Sequence, residues 1–479
     1  MENKLKKKSP ASSQMELAGS LVQDMKEAAQ ARMVERPALE KIKNGYVLLG
    51  REDKPLFFSQ LLENMEVRPG DVASLLAEAG SCLDDLVRWR KTVSELRSVL
   101  ESPRSRLFRN FASLPGGLKF LLDFRADLMA AQRVSQVDLS PLDQDLVQLF
   151  ESWFQDGFLF LQEITLDSPY RQIEKIKDGD MVHPMSNLEE MARRLGRDRR
   201  CFALYHQAMP EEPVVFIEVA LTRGIVRSVH EIIGVPAEAE EVGARNDTAV
   251  FYSINNTQNG LAGLGLGQVL IFQVVDYLKR EAPEIKTFCT LSPLPGFWRR
   301  YLHPLLENRA TGLKMNLDRL EKIFDKRTRG LLEKEYAARG GKTNASFDRM
   351  MLAVFSNPGW AEDKALVASL AKPLAQLGYF YLAEEKDRGG RPLDPVANFH
   401  LSNGATLAPG NVNFGANWSA RGLERSLSLM ANYIYSHDWR MQIKNSMTWL
   451  VGLMPGLSRR RNNRARLAPA GTTEPSPSR

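Results

Sequence analysis

The sequence contains few residues that bind metals or form disulfides. Its three cysteines, Cys82, Cys201 and Cys289, show neither paired spacing nor the spacing of metal ligands. An odd number of cysteines without a Cys-x-x-Cys pair favours a reducing compartment over a secreted, disulfide-stabilised fold. We therefore expect a cytoplasmic protein with no metal site.

Long apolar runs are also missing. The longest one near the end of the chain, residues 447–454, is far shorter than the roughly 20 residues of a membrane-spanning helix. The N-terminal lysines precede no apolar stretch of the secretory type, and the final Ser-Pro-Ser-Arg is not a peroxisomal address. These patterns predict a soluble chain without a membrane partner.

The excess of positive charge is small and lies at the termini. The 479 residues carry a formal net charge of +6, but lysine and arginine are concentrated in residues 1–9 and 459–479. The chain between them has a slight negative balance, whereas a nucleic-acid-binding domain carries its basic residues on the folded surface. We expect no nucleic-acid partner and interpret the basic termini as disordered tails.

The apolar patterns divide the chain into helical and mixed regions. Stripes of helical period recur from about residue 15 to 162, and Ser140-Pro141 is typical of a helix start. Beyond them, β-rich runs at 214–221, 248–254 and 287–291 surround a helical pattern at 268–278. We predict a disordered tail (1–14), a helical scaffold or oligomerisation domain (15–165), an α/β catalytic domain (166–455) and an Arg/Pro/Ser-rich tail (456–479).

A glycine-rich loop lies between the second β-run and the following helix. It reads Ala262-Gly263-Leu264-Gly265-Leu266-Gly267, with Gln268 next. Glycines let phosphate oxygens approach the main chain, and a helix N-terminus attracts anions. The loop is not a Walker motif, because no Gly-Lys-Ser/Thr follows, and its spacing is not that of a dinucleotide-binding fold. It is interpreted as a pyrophosphate site, with a plain tight turn as the alternative.

Two further segments offer polar side chains for catalysis. Ser292 follows the β-run at 287–291 and precedes Pro293, Pro295 and Gly296, outside any Gly-x-Ser-x-Gly motif of hydrolases. His400 lies in a run that we predict to be a short strand before the Asn403-Gly404 turn. Histidine titrates near neutral pH and can move a proton, although a turn serine and a structural histidine remain the alternatives.

Taken together in this order, six segments resemble the malonyl-CoA decarboxylase family over residues 15–440. They are His183-Pro184 with Asn187-Leu188, Arg199-Arg200-Cys201, Thr257-Gln258-Asn259-Gly260-Leu261 with the glycine loop, Leu291-Ser292-Pro293-Leu294-Pro295-Gly296-Phe297, Asn398-Phe399-His400-Leu401-Ser402-Asn403-Gly404-Ala405, and Leu429-Met430-Ala431-Asn432-Tyr433.

The resemblance implies a fold, a reaction and a site. It implies an α+β chain in which an N-terminal helical bundle precedes an acetyltransferase-like (GNAT) α/β domain. The implied reaction converts malonyl-CoA to acetyl-CoA and CO2, with Ser292 and His400 as catalytic residues. The implied substrate contacts are Ala262, Gly263, Leu264, Gly265, Leu266, Gly267, Gln268 and Ile271. The family also implies a homotetramer built from dimers. Some members have a glutamate in the loop where this chain has Gly265.

The chemistry of this reaction needs no cofactor. When a malonyl thioester loses CO2, the thioester itself accepts the electron pair as an enolate, which is then protonated. We expect Ser292 to orient the carboxylate and His400 to supply the proton directly or through Ser292. The alternatives are an acyl-CoA-dependent N-acyltransferase, a non-catalytic malonyl-CoA sensor and a serine hydrolase.

Overall fold

A computed structural model describes residues 10–31, 34–154, 156–196, 198–233, 246–342 and 344–435. Residues 1–9 of the first predicted tail and all of the second tail, 456–479, lie outside these ranges. Residues 10–14, which we expected to be disordered, belong to the first helix. Among the described residues, no helix is both long and apolar enough to traverse a bilayer.

The N-terminal region is helical, as predicted. Its described helices are α1 (Pro10–Gln30), α2 (Arg36–Val47), α3 (Lys54–Asn64), α4 (Pro69–Ser81), α5 (Leu86–Leu100), α6 (Pro103–Ala112), α7 (Gly117–Gln132) and α8 (Ser140–Trp153). Prolines at the first positions of several of these helices mark their starts, because proline fits the first turn without losing a hydrogen bond. The predicted start at Ser140 is confirmed.

Aromatic packing holds this helical region together. Phe124 of α7 lies at the centre, with its ring centroid 4.9 Å from that of Tyr46 and 5.0 Å from that of Phe58. Phe57 and Phe108 complete the cluster, and all five side chains are buried. Such rings contribute a large buried area and favourable edge-to-face contacts. The cluster therefore joins α2, α3, α6 and α7 into one core.

The mixed region is built on two sheets. Its strands are β1 (Leu159–Ile164), β2 (Arg199–His206), β3 (Met209–Thr222), β4 (Thr248–Asn256), β5 (Thr287–Thr290), β6 (Ser292–Pro293), β7 (Ala405–Thr406), β8 (Val412–Asn413), β9 (Met430–Ala431) and β10 (Ile434–Tyr435). The larger sheet has the order β1-β2-β3-β4-β5-β10-β7, and the smaller one has the order β6-β9-β8. Within the larger sheet, β4 and β5 are parallel and the other described pairs are antiparallel.

The described part of the mixed region also contains helices. They are α9 (Tyr170–Gly179), α10 (Leu188–Arg193), α11 (His230–Ile233), α12 (Leu266–Glu281), α13 (His303–Leu306), α14 (Leu317–Ile323), α15 (Lys326–Ala338), α16 (Phe347–Phe355), α17 (Lys364–Ala383), α18 (Pro395–Ser402) and α19 (Ala420–Ser426). Helix α12 connects the parallel strands β4 and β5, and α9 and α10 pack on the opposite face. The predicted order of a helical region followed by an α/β domain is confirmed.

Two local predictions were wrong. The helical pattern does not continue to residue 162, because α8 ends at Trp153 and β1 pairs along its whole length with β2. His400 does not lie in a strand; it belongs to helix α18. The side chain of Asp394 caps that helix by accepting hydrogen bonds from the Val396 and Ala397 N–H groups, at 2.9 and 2.8 Å.

A buried ionic cluster lies between the larger sheet and α9–α10. The Arg194 guanidinium contacts the carboxylates of Asp180 at 2.9 Å, Glu190 at 2.8 Å and Glu218 at 3.5 Å. Burial raises the pKa of the Glu218 carboxyl well above its usual range. Burial would also raise the pKa of Asp180, but hydrogen bonds from the His183 N–H and the Ser253 hydroxyl hold it below its usual value. The cluster is therefore balanced only while the arginine is present.

We predict that Arg194→Met lowers the free energy of unfolding by about 3–5 kcal/mol, because it leaves the buried Asp180 carboxylate without its cation. Arg88→Met is the control, since Arg88 pairs with Glu78 on the surface, where solvent screens the pair, and its loss is expected to change stability little. Urea unfolding of both variants measures the difference. Equal losses for the two variants would show that the buried cluster adds nothing to stability.

Candidate active site

The glycine loop lies where β4 ends and α12 begins. Gly263 and Gly265 have φ angles of +82° and +69°, which are readily adopted only by glycine. Gly265 immediately precedes the first residue of α12. The N-terminus of this helix has main-chain N–H groups without partners in the helix itself and carries a partial positive charge. The loop therefore presents main-chain donors to an anion at the carboxyl edge of β4.

Ser292 lies at the same edge of the sheet. The parallel strands β4 and β5 end side by side, and Ser292 follows β5 after a single residue, Leu291. Its hydroxyl donates to the Thr290 Oγ1 at 3.0 Å. The side chain of Asn432 donates to the Thr290 carbonyl at 2.9 Å and so fixes the end of β5. The serine is thus held by the pairing of β6 with β9 and by the side chain of Thr290.

His400 meets Ser292 across 108 positions of sequence. The His400 Nε2 lies 3.1 Å from the Ser292 Oγ, and the His400 Nδ1 lies 2.9 Å from the Tyr435 hydroxyl. The Tyr433 ring stacks on the imidazole, with centroids 4.6 Å apart and planes at 28°. Tyr435 belongs to β10, so a strand and a helix together set the orientation of the imidazole. Both ring nitrogens have protein partners.

Burial controls the charge state of this pair. Ser292 is 7% exposed and His400 is 3% exposed. Burial lowers the pKa of His400 to about 3, because the cation loses its hydration inside the protein. Burial also raises the pKa of Tyr435, so the phenol stays protonated. At neutral pH the resting site therefore contains a neutral imidazole between two hydroxyl groups.

One cavity of about 920 Å³ joins the loop to the serine–histidine pair. Its wall includes Gly263, Gly265, Leu266, Gly267, Gln268, Ser292 and His400, all of which we predicted as site residues. A Cβ on Gly267 would lie 3.4 Å from the Phe399 ring, which shows how closely α12 approaches α18. A pocket of this size lies within the usual range for small-molecule sites, roughly 300–1,000 Å³.

Three predicted contact residues do not line this cavity. Ile271 is buried in the core between α12 and the sheet. The Ala262 carbonyl accepts a hydrogen bond from Arg125 of α7, and Leu264 packs against the core. Direct contact of these three side chains with a ligand is therefore not visible, and their role stays a prediction.

Sequence reasoning missed several residues of the site. Thr290 and Tyr435 bond to the pair, and Asn398 and Asn403 line the cavity. Among the described residues that line it, Arg391 is the only one with a permanent positive charge; its guanidinium pairs with Asp387 at 3.0 Å. A tyrosine two positions beyond Tyr433 gives no local signal of a contact with His400, because only the pairing of β10 in the sheet brings it there.

No group of three or more potential metal ligands is present among the described residues.

A family model described as the malonyl-CoA decarboxylase C-terminal domain matches residues 157–443, and one described as the N-terminal domain matches residues 72–154. The chain belongs to the malonyl-CoA decarboxylase family. The matched ranges cover both the helical region from α4 onward and the whole of the described sheet.

Individual members of the malonyl-CoA decarboxylase family are similar to this chain in sequence and in structure. The mitochondrial malonyl-CoA decarboxylases of the goose Anser anser anser and of Rattus norvegicus are each 37% identical over 339 residues, 70% of this chain. This chain spans 64% and 65% of the lengths of those relatives. The crystal structure of malonyl-CoA decarboxylase from Rhodopseudomonas palustris matches with a TM-score of 0.68 and 30% identity, covering 91% of this chain and 96% of that one. The Agrobacterium vitis enzyme gives the same score and identity, covering 88% and 93%.

We predict that His400 makes the fold sensitive to acid. In the unfolded chain its pKa has the ordinary value of 6.5, whereas in the fold it is about 3. The contribution of the neutral His400 to the free energy of unfolding is therefore complete above pH 6.5 and is lost as the pH falls from 6.5 towards 3. Between pH 7 and pH 5 the loss amounts to about 2 kcal/mol.

His400→Gln removes the titrating group, so its free energy of unfolding should fall by about 2 kcal/mol less than that of the wild type between pH 7 and pH 5. Urea unfolding at the two pH values measures both losses. The same loss in variant and wild type would mean that His400 is not buried in its neutral form.

Proposed function

We propose that this chain is a carboxy-lyase that converts malonyl-CoA to acetyl-CoA and CO2. The observation that carries the proposal is the buried hydrogen bond between Ser292 and His400 in the wall of the cavity that also contains the glycine loop. This substrate requires main-chain donors for an anion and two side chains that can transfer a proton, and the cavity contains both. Membership of the family supports the same reaction.

We assign the glycine loop to the CoA pyrophosphate. The positive φ angles favour glycine at positions 263 and 265, and because glycine has no side chain, phosphate oxygens can reach the main-chain N–H groups at the start of α12. Arg391 lies in the same wall and is paired only at the surface with Asp387, so it is available as a cation for a phosphate. The malonyl end then points along the cavity towards Ser292.

The protein takes up the proton that the reaction requires when the substrate binds. The malonyl carboxylate brings a negative charge close to His400, and a nearby negative charge raises the pKa of an imidazole. His400 therefore takes up a proton from water as the substrate binds. When the C–C bond breaks, its electron pair forms the enolate, and Ser292 passes a proton to the terminal carbon as His400 Nε2–H replaces it. The imidazole returns to its neutral resting form and CO2 leaves.

This relay follows from the contacts of His400. The Nδ1 atom contacts the Tyr435 hydroxyl and the Nε2 atom contacts the Ser292 hydroxyl. A proton from Nε2 would therefore reach a ligand bound beside the serine through the Ser292 hydroxyl. The Ser292 hydroxyl is held by Thr290 in the resting state and can turn to the substrate without leaving the site. A general acid typically contributes about 10²–10⁴-fold to a rate.

The thioester oxygen needs a donor as the enolate forms. The register of β3 with β4 shifts between Glu218 and Val219, which face Ser253 and Phe251, so Tyr252 is an extra residue in β4. Bulged residues are left out of the regular hydrogen-bond ladder. Tyr252 and Ser253 line the cavity, and we propose that the main chain at this bulge bonds to the oxyanion. One such donor is typically worth about 3–4 kcal/mol.

The alternatives have less support. A serine hydrolase needs a basic histidine, whereas burial lowers the pKa of His400 to about 3 and its second partner is a phenol. An N-acyltransferase would release free CoA only when an amine is added. A malonyl-CoA sensor would bind the substrate and form no product.

Location and assembly belong to the proposal as well. We propose a cytoplasmic enzyme, in keeping with cysteines that are buried and unpaired at positions 82, 201 and 289. We also propose a homotetramer built from dimers. Helix α4 has no buried residue and α5 buries only Thr92, while Leu83, Leu86 and Val87 between and within them are exposed. An apolar helical hairpin of this kind favours contact with another subunit.

We predict that Ser292→Ala and His400→Gln each lower kcat on malonyl-CoA by about 10²–10⁴-fold with a small change in KM, because each removes the relay and leaves the loop intact. Tyr435→Phe should lower kcat by roughly tenfold, since it removes one hydrogen bond to His400. Mass spectrometry of acetyl-CoA formation measures all three variants.

Ser402→Ala is the control for these variants, because its hydroxyl lies in the cavity wall but bonds only to the Phe399 carbonyl of its own helix. It should turn over at nearly the wild-type rate. Wild-type turnover by Ser292→Ala or His400→Gln would refute the assigned roles. If the wild type binds malonyl-CoA and forms no acetyl-CoA, the proposed reaction is wrong.

We predict that the double substitution Leu86→Glu/Val87→Glu reduces the assembly to a smaller species, because charges on the α4–α5 hairpin oppose its burial between subunits. Light scattering after size exclusion measures the mass. Val134→Glu, which changes another exposed apolar residue outside the hairpin, should leave the mass unchanged. A wild-type mass for the double variant would exclude the hairpin as an interface.

A further inference from the structure

Arg125 connects the helical region to the glycine loop. It lies on α7 and is 4% exposed. Its Nη1 donates to the Gly260 carbonyl at 2.6 Å and to the Ala262 carbonyl at 2.9 Å. Its Nε and Nη2 bond to the Asp143 carboxylate of α8, at 2.7 and 3.3 Å. The guanidinium thus fixes the first carbonyl of the loop, and that of Gly260 just before it, to the helical core.

These bonds set the direction of a main-chain donor. The structure contains no cis peptide bond among its described residues. In a planar trans peptide the C=O and the N–H point in opposite directions. Since the Ala262 carbonyl points towards Arg125, the N–H of Gly263 in the same peptide unit points away from Arg125. Gly263 itself lines the cavity.

A second contact from the same face of α7 supports the loop. A Cβ on Gly260 would lie 2.0 Å from the Leu122 carbonyl oxygen, so the main chain of the loop rests directly on the helix. Leu122 and Arg125 are three residues apart and therefore lie on one side of α7. One helical face supplies both the support and the hydrogen bonds.

We infer that Arg125 is a positioning residue for the nucleotide end of the substrate: it holds the glycine loop so that the main-chain N–H groups meet the CoA diphosphate. This inference rests on the proposed function. It makes the helical region part of the substrate site, although the sequence offered no catalytic residue there. Arg125 touches no ligand in this scheme and acts only through the loop.

The test compares ligands that have or lack the diphosphate. Arg125→Gln should raise the Kd for CoA by about tenfold and leave the Kd for pantetheine unchanged, because preorganisation is lost only at the phosphate contact. With malonyl-CoA as substrate, KM should rise by a similar factor while kcat at saturation stays near the wild-type value. Calorimetric titration and steady-state kinetics supply these numbers.

Arg104→Gln is the matched control. Arg104 is as buried as Arg125, lies on α6, and bonds to Asp145 of α8 and to the Met65 carbonyl, away from the loop. The Arg104→Gln variant should have a lower melting temperature, and its ratio of CoA and pantetheine affinities should stay at the wild-type value. Arg125→Lys keeps the charge but not the forked geometry, so its ratio of CoA and pantetheine affinities should be intermediate. This variant provides the test if the glutamine variant does not fold.

Three outcomes would overturn the inference: an unchanged CoA affinity in both Arg125 variants, an equal loss of CoA and pantetheine affinity, or the same selective loss in Arg104→Gln. Failure of the wild type to decarboxylate malonyl-CoA would count against the proposed function alone, because the titrations with CoA and pantetheine do not depend on turnover.

Discussion

The hydrogen bond between Ser292 and His400 is the constraint on which the site depends. It joins strand β6 to a helix 108 residues later, and both side chains are almost fully buried. The surrounding groups all serve its geometry: Thr290 holds the serine, Tyr435 holds the far side of the imidazole, and Tyr433 covers its face. Because no carboxylate among the described residues contacts the imidazole, its charge depends on what enters the cavity.

Local sequence patterns predicted the elements that carry the site and failed where tertiary contacts decide. The runs that became β3, β4 and α12 were readable because buried strands and amphipathic helices have distinct apolar periods. The segment around His400 alternates polar and apolar residues and suggested a strand, although Asp394-Pro395 is a helix start that outweighs four residues of alternation.

Other features of the site had no local signal. The pairing of β10 between β5 and β7, which brings Tyr435 to His400, joins segments far apart in the chain. Ile271 was named through the resemblance, yet its side chain lies in the core. The buried ion pairs of Arg194 are equally invisible in sequence, because an arginine near acidic residues is far more often found on a surface.

The position of β10 has a consequence for biosynthesis. Ile434 and Tyr435 are the last described residues, yet they lie inside the larger sheet, hydrogen-bonded to β5 on one side and to β7 on the other. Until they leave the ribosome, β5 is an open edge whose unpaired main-chain groups can capture strands of other nascent chains. Catalytic competence and protection from aggregation therefore arrive together, once β10 has been synthesised and has paired with β5.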